Sequence, residues 1–243
     1  VKKLGLLFFA LSVSSVLVDF SGQPAHSNNQ IEIKELFSLA RNGTRKQWDQ
    51  SGIYDAARIS DSWKYSRRED LIRLIHDCDQ KALASYHKGD LASASDRLFV
   101  GLSCAAALGR AMLSHEGSSA EINSTQSPPL VWLDVFKELS VSNSKGSHLE
   151  YSFPTSSYIP AVNNYAYYLR QEGKYKESIP IFEKIISTEP ARIVTNLDLA
   201  DAFWEIGEKE KARPFYAKYS MAMKKAKFKT VPPRVLERSG HQN

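Results

Sequence analysis

Residues 159–192, IPAVNNYAYYLRQEGKYKESIPIFEKIISTEPAR, and residues 193–226, IVTNLDLADAFWEIGEKEKARPFYAKYSMAMKKA, write one 34-residue pattern twice. Tyr165-Ala166, Leu169, Gly173, Ser178, Phe182 and Ile185 return as Leu199-Ala200, Phe203, Gly207, Ala212, Tyr216 and Tyr219, and Pro180 returns as Pro214. In each copy the apolar residues recur at three- and four-residue steps on both sides of a glycine, which predicts two amphipathic helices joined by a tight turn. One such hairpin leaves an apolar face uncovered, so the pattern implies an all-α stack of hairpins that shelter one another.

The residue types give the pattern a closer likeness. The first copy reads Val162-x2-Tyr165-Ala166-x2-Leu169, Gly173, Ser178-x3-Phe182 and Pro190; the second reads Asn196-x2-Leu199-Ala200-x2-Phe203, Gly207 and Ala212-x3-Tyr216. Over about 68 residues, just over a quarter of the chain, this resembles the tetratricopeptide repeat family, whose unit is a 34-residue helix–turn–helix. The resemblance implies a short right-handed α-solenoid. Small Ala166 and Ala200 let helix A of each repeat approach helix B at Ser178 and Ala212, while Tyr165, Leu169, Phe182 and Ile185 fill the space around that contact. Gly173 and Gly207 end each helix A, and Pro190 ends the first helix B. The second copy has Lys224 where that proline would fall, so its helix B is expected to run on, as in a repeat that caps an array. Pro180 and Pro214 lie early in their helices, where few amide bonds are lost.

Stable stacks use about three repeats or more. The missing cover is expected from 71–112, where Leu71, Ile75, Cys78, Ala82 and Tyr86 form one helical stripe and Leu91, Ala94, Leu98, Gly101, Ala105 and Leu108 another. Between them Lys88-Gly89-Asp90 breaks the helix, and Ala82 precedes Gly89 by the same interval as Ala166 precedes Gly173. Lys81 and Ser85 depart from the pattern, so this reads as a degenerate, repeat-like hairpin. It is expected to reach the C-terminal pair through a short helix at 130–139 carrying Trp132 and Phe136.

The remainder divides around these elements. Lys2-Lys3 before the apolar run Leu4 to Val18 has the form of a signal peptide or signal anchor over 1–25, which places the body of the chain in the periplasm or outside the cell. The opening Val1 fits a GTG start codon and thus a bacterial source. Residues 26–116 form an N-terminal helical region. Ile31, Ile33, Leu36, Phe37 and Ala40 suggest a first helix ending at Asn42-Gly43, and Trp48, Ile53, Tyr54, Ala57 and Ile59 a second, interrupted at Ser51-Gly52. The Ser-, Asn-, Gly- and Pro-rich 117–158 reads as a linker with one short helix. A tail at 227–243, continuing the basic run of Lys224, Lys225, Lys227, Lys229, Arg234 and Arg238, reads as a solvated end. Without the signal region the charge is about +4, too small to indicate nucleic acid.

The resemblance places helix A on the concave face. It carries Asn163, Tyr167, Arg170 and Gln171 from the first repeat, and Leu197, Asp201, Trp204 and Glu205 from the second, into a candidate partner-binding groove. Rings supply contact area and amides can bond a peptide backbone; the alternative is that Tyr167 and Trp204 pack against the N-terminal helices. The family's carboxylate clamp is only partly matched by Asn163 and Arg170, and Asp201 and Glu205 would repel a terminal carboxylate, so no chaperone clamp is expected. Cys78 and Cys104 face each other across the hairpin as either a disulfide or two buried thiols. His76-Asp77-Cys78 spreads around a helix and converges on nothing, and the histidines show no metal-ligand spacing. The expectation is therefore an exported scaffold for a protein or peptide partner, with no catalytic residue, metal or cofactor and no nucleic acid, touching the membrane only if the signal is uncleaved. The alternatives are an envelope enzyme whose N-terminal region carries the chemistry, with the repeats as docking module, and a membrane-anchored assembly factor.

Overall fold

A computed structural model describes residues 32–53, 68–115, 122, 125–142, 153–228 and 230–240; the signal segment expected at 1–25 lies outside them. Ten α-helices are formed among the described residues: α1 (Ile33–Asn42), α2 (Arg45–Ser51), α3 (Arg68–His87), α4 (Leu91–His115), α5 (Pro128–Ser142), α6 (Ile159–Gln171), α7 (Tyr175–Thr188), α8 (Ile193–Glu205), α9 (Lys209–Lys225) and α10 (Pro233–Arg238). The fold is an all-α stack of neighbouring helices, as the repeat implied. Helix α1 falls where expected; α2 carries Trp48 but stops at Gly52, in the left-handed conformation, so that Ile53 lies in the turn beyond it, and the rest of that second expected helix, from Tyr54, is outside the described residues.

Three hairpins turn in the same way. In α3–α4 the Gly89 amide donates to the Tyr86 carbonyl and the Asp90 amide to Ser85. In α6–α7 Gly173 donates to Arg170 and Lys174 to Leu169, and in α8–α9 Gly207 donates to Trp204 and Glu208 to Phe203. All three glycines are left-handed, with φ of 78°, 78° and 83°, a conformation that costs other residues about 1 kcal/mol or more. Behind the first turn, Gly101 of α4 lies so close to Cys78 of α3 that a methyl group there would run into the thiol. A small residue at this crossing is what lets the two helices pack.

The hairpins join differently from the expectation. Helix α6 packs directly on α4, as α8 packs on α7, while α5 lies across α4 and α7 on the other side. Helix α5 is longer than 130–139 and does touch both halves, but as part of the core: Trp132, Leu133, Val135, Phe136 and Leu139 are buried. Its apolar side is too wide for an isolated linker helix, and Trp132 locks the junction edge-to-face against Phe99 of α4 and Tyr165 of α6, with centroids at 5.3 and 5.2 Å. Lys184 of α7 reaches Asp134 of α5 at 2.6 Å on the rim.

Among the described residues helix α4 alone is long and apolar enough, by composition, to cross a membrane, yet most of its apolar window is buried. It is the axis of the N-terminal half, with α1 and α2 packed on it and α3 alongside. The C-terminal end corrects a second expectation. Helix α9 does run on past the missing proline, through Lys224 to Lys225, but the chain then returns as α10, which packs on α9 and buries Val235 completely. The expected solvated tail is thus partly a folded cap, because Val235 gives a basic segment one apolar anchor and its arginines find an acidic site.

Candidate partner-binding face

Helices α3, α6 and α8 lie side by side and present the face on which the sequence placed the groove. Its eight residues divide into two sets. Asn163, Arg170 and Asp201 are tied into the fold. Thr195 Oγ1 of α8 donates to Asn163 Oδ1 at 2.8 Å. Arg170 spans two carboxylates one turn apart on α8, Nη2 to Asp198 Oδ1 at 3.3 Å and Nη1 to Asp201 Oδ2 at 3.6 Å. Asp201 accepts from the Tyr216 hydroxyl at 2.6 Å and is approached by Arg234 at 3.2 Å and Arg238 at 3.6 Å, both from α10. One buried carboxylate therefore collects three arginines and a phenol, which compensates its loss of water.

Tyr167, Leu197 and Trp204 are only partly buried, and Gln171 and Glu205 are exposed. The Tyr167 ring meets Tyr86 of α3 edge-on at 5.9 Å, with the hydroxyls 3.1 Å apart, and Arg170 lies 5.0 Å above it. Tyr167 thus touches an N-terminal helix as well as the open face. Trp204 sits instead at the C-terminal end, edge-on to Tyr216, with the Arg238 guanidinium 4.8 Å and the Lys209 ammonium 5.1 Å from its ring.

The electrostatics follow the burial. Desolvation lifts the Asp198 carboxyl to about 6, with Arg170 opposing and Asp201 adding to the rise. Burial, then the Tyr86 hydroxyl, pushes Tyr167 up to about 12, and burial and Asp201 hold Tyr216 well above the usual phenol range. Away from the face, Cys78 and Cys104 are free buried thiols, so the disulfide is not formed; the Cys78 thiol donates to the Ala40 carbonyl at 3.3 Å and is raised to about 12, mainly by burial. Such thiols are poor nucleophiles. Among the described residues no group of three His, Cys, Asp or Glu side chains could hold a metal ion.

Asp198, Tyr86, Arg234 and Arg238 were not in the sequence-based set. The repeat register held a signal for the last of these: Arg170, Trp204 and Arg238 are each 34 residues apart, as are Tyr167, Asp201 and Val235. Helix α10 continues the helix-A pattern for less than two turns. For Tyr86 the turn geometry was the signal, since it stands before Gly89 as Arg170 stands before Gly173.

No curated protein matches the chain. The family model of the tetratricopeptide repeat matches residues 169–231, from the end of α6 through α9 to the approach to α10. Two hairpins in 34-residue register, turning on Gly173 and Gly207 and stacked through α7 and α8, are what that match describes, so that the C-terminal part of the chain, residues 169–231, is similar to tetratricopeptide repeats.

Proposed function

We propose that this protein is an exported adaptor that holds a protein or peptide partner on the face of α3, α6 and α8 and catalyses no reaction itself. Tetratricopeptide repeats generally mediate protein–protein interaction. The observation that carries the finer reading is the row of partly buried apolar side chains, Tyr86, Tyr167, Leu197 and Trp204, crossing three helices beside exposed Gln171 and Glu205. Rings held by their neighbours add contact area at little entropic cost, and the flanking polar groups can bond a peptide backbone. Asn163, Arg170 and Asp201 have the role of a frame in this reading, since their bonding is already taken up between helices. Export is supported by Lys2-Lys3 followed by the apolar run Leu4 to Val18, and the periplasm or the exterior is the proposed location.

The test is a crosslinked pull-down from the native envelope, repeated with Tyr167→Ala plus Trp204→Ala. Binding of the recovered partner should weaken at least about tenfold, as loss of two aromatic anchors commonly costs 2 kcal/mol or more. Unchanged affinity in a variant that keeps its helical circular dichroism would remove this face from consideration.

A further inference from the structure

The edge of the stack opposite the Gly173 and Gly207 turns carries a different surface. There the end of α7, the start of α8 and the last turns of α9 border an open groove of about 690 Å³, room for several side chains. Ile186, Pro190, Ile193 and Ala222 give it an apolar lining, and exposed Lys218 and Lys225 stand beside them; among the described residues no acidic one lines it. Apolar surface is also left open around it. Met221, on the same stripe of α9 as Lys218 and Lys225, is 65% exposed, Phe228 just past the helix 61% and Val194 50%. Isolated exposed apolar residues are ordinary, but three flanking one apolar groove make a patch.

Charge points the same way. Lys218, Lys224, Lys225 and Lys227 make no ion pair among the described residues, although twelve such pairs occur elsewhere, and Lys218 rests only over its own helix's Phe215. The helix dipole accounts for cations at 224 and 225, in the last turn. It does not account for Lys218, two turns earlier. Lys227 is left-handed at φ 58°, where the other hairpin helices use glycine, and this strained turn sends the chain out through Phe228. Beside the groove, Asn196 is 7% exposed; its amide nitrogen donates to the Arg192 carbonyl at 3.2 Å, which fixes its orientation and leaves Oδ1 buried without a donor.

We infer that this edge is a second docking surface, for an acidic segment of another protein that places an aliphatic or aromatic side chain in the groove and flanking carboxylates on Lys218 and Lys225. The surface is separate from the face of α3, α6 and α8, so the chain would hold two partners, or two parts of one, at once. Selection of short random phage-displayed peptides on the full chain, followed by fluorescence anisotropy of synthetic copies, tests it. Enriched peptides should carry Asp or Glu on both sides of an apolar residue. Their affinity should fall at least about tenfold with Lys218→Glu plus Lys225→Glu, and weaken with added salt. Ala222→Trp, which fills the groove and leaves the charges, should abolish binding too, while Tyr167→Ala plus Trp204→Ala should leave it unchanged. The inference is overturned if no acidic peptide is enriched or if the lysine reversals leave affinity intact. It is equally overturned if vesicles of phosphatidylglycerol bind through these lysines when no peptide does, which would assign the edge to a membrane.

Discussion

Replacing Asp198 with Asn should change how stability responds to pH. The carboxyl is flanked by Arg170 and Asn163 from α6 and by Asp201 and Arg192 from its own helix and the turn before it. Burial dominates, raising it to about 6, and only 13% of the side chain is exposed, so solvent screens little of the effect. An unfolded Asp titrates near 3.9. Because the folded chain holds this proton more tightly, folding takes up a proton between about pH 4 and pH 6. Stability from this group is therefore fully present below about pH 4, falls as pH rises, and levels off above about pH 6. Two units at 1.36 kcal/mol each give roughly 3 kcal/mol for the whole window. Asn resembles the neutral carboxyl, keeping an acceptor for Arg170 while removing the charge. The two chains should thus be nearly equal in stability at about pH 4, with the wild type weaker by up to roughly 3 kcal/mol at about pH 7. Urea titrations followed by circular dichroism at several pH values give that difference directly, provided the slopes with urea match. A flat difference, or one of opposite sign, would show that the arginine outweighs burial and would refute the reasoning.

Arg234→Ala combined with Arg238→Ala should release α10: amide exchange over 233–238 should lose its protection while α8 and α9 keep theirs. The Arg238 part alone removes a hydrogen bond to Tyr216 at 2.9 Å and the cation over Trp204, and should cost roughly 1–2 kcal/mol in urea. Lys227→Gly should stabilise the chain by about 0.5–1 kcal/mol, seen as a rise in Tm, because a left-handed position then holds the residue that fits it. A fall in Tm would mean that the lysine side chain is bonded in a way that outweighs the backbone.

The repeat itself was legible because helix packing writes its requirements into residue size: Ala166, Ala200 and Ala212 are fully buried where small residues were demanded. Gly173 and Gly207 were legible because their turns need a left-handed residue. Helix α5 was under-read because its start, Pro128-Pro129, and its serine-rich flanks look like a linker, and composition does not reveal that Trp132 has Phe99 and Tyr165 waiting for it. The groove residues were legible in position but not in state. Sequence places Asp201 on the right face, but its burial depends on Arg234 and Arg238, 33 and 37 residues on, in a segment whose charge suggested solvent. A basic run reads as a tail until one of its neighbours, here Val235, is seen to have an apolar seat.

The two ends of the stack are closed by different forces, with consequences for binding. At the N-terminal end, α1, α2 and the turn after α2 supply Leu36, Ala40, Trp48 and Ile53, all buried, so that cover rests on apolar area and varies little with salt. At the C-terminal end, α10 buries Val235 as its single fully buried side chain and otherwise rests on Arg234 and Arg238 meeting Asp201. Such a cap is short, charged and partly exposed, and it shares a residue with the proposed partner face, since Arg238 lies over Trp204. A partner that laid its own ring or cation on Trp204 would have to move that guanidinium. Binding there and docking of α10 are then coupled, each weakening the other by the same factor, as linkage requires. The release of α10 in the double arginine variant should accordingly tighten, not loosen, the grip on any ligand that uses Trp204.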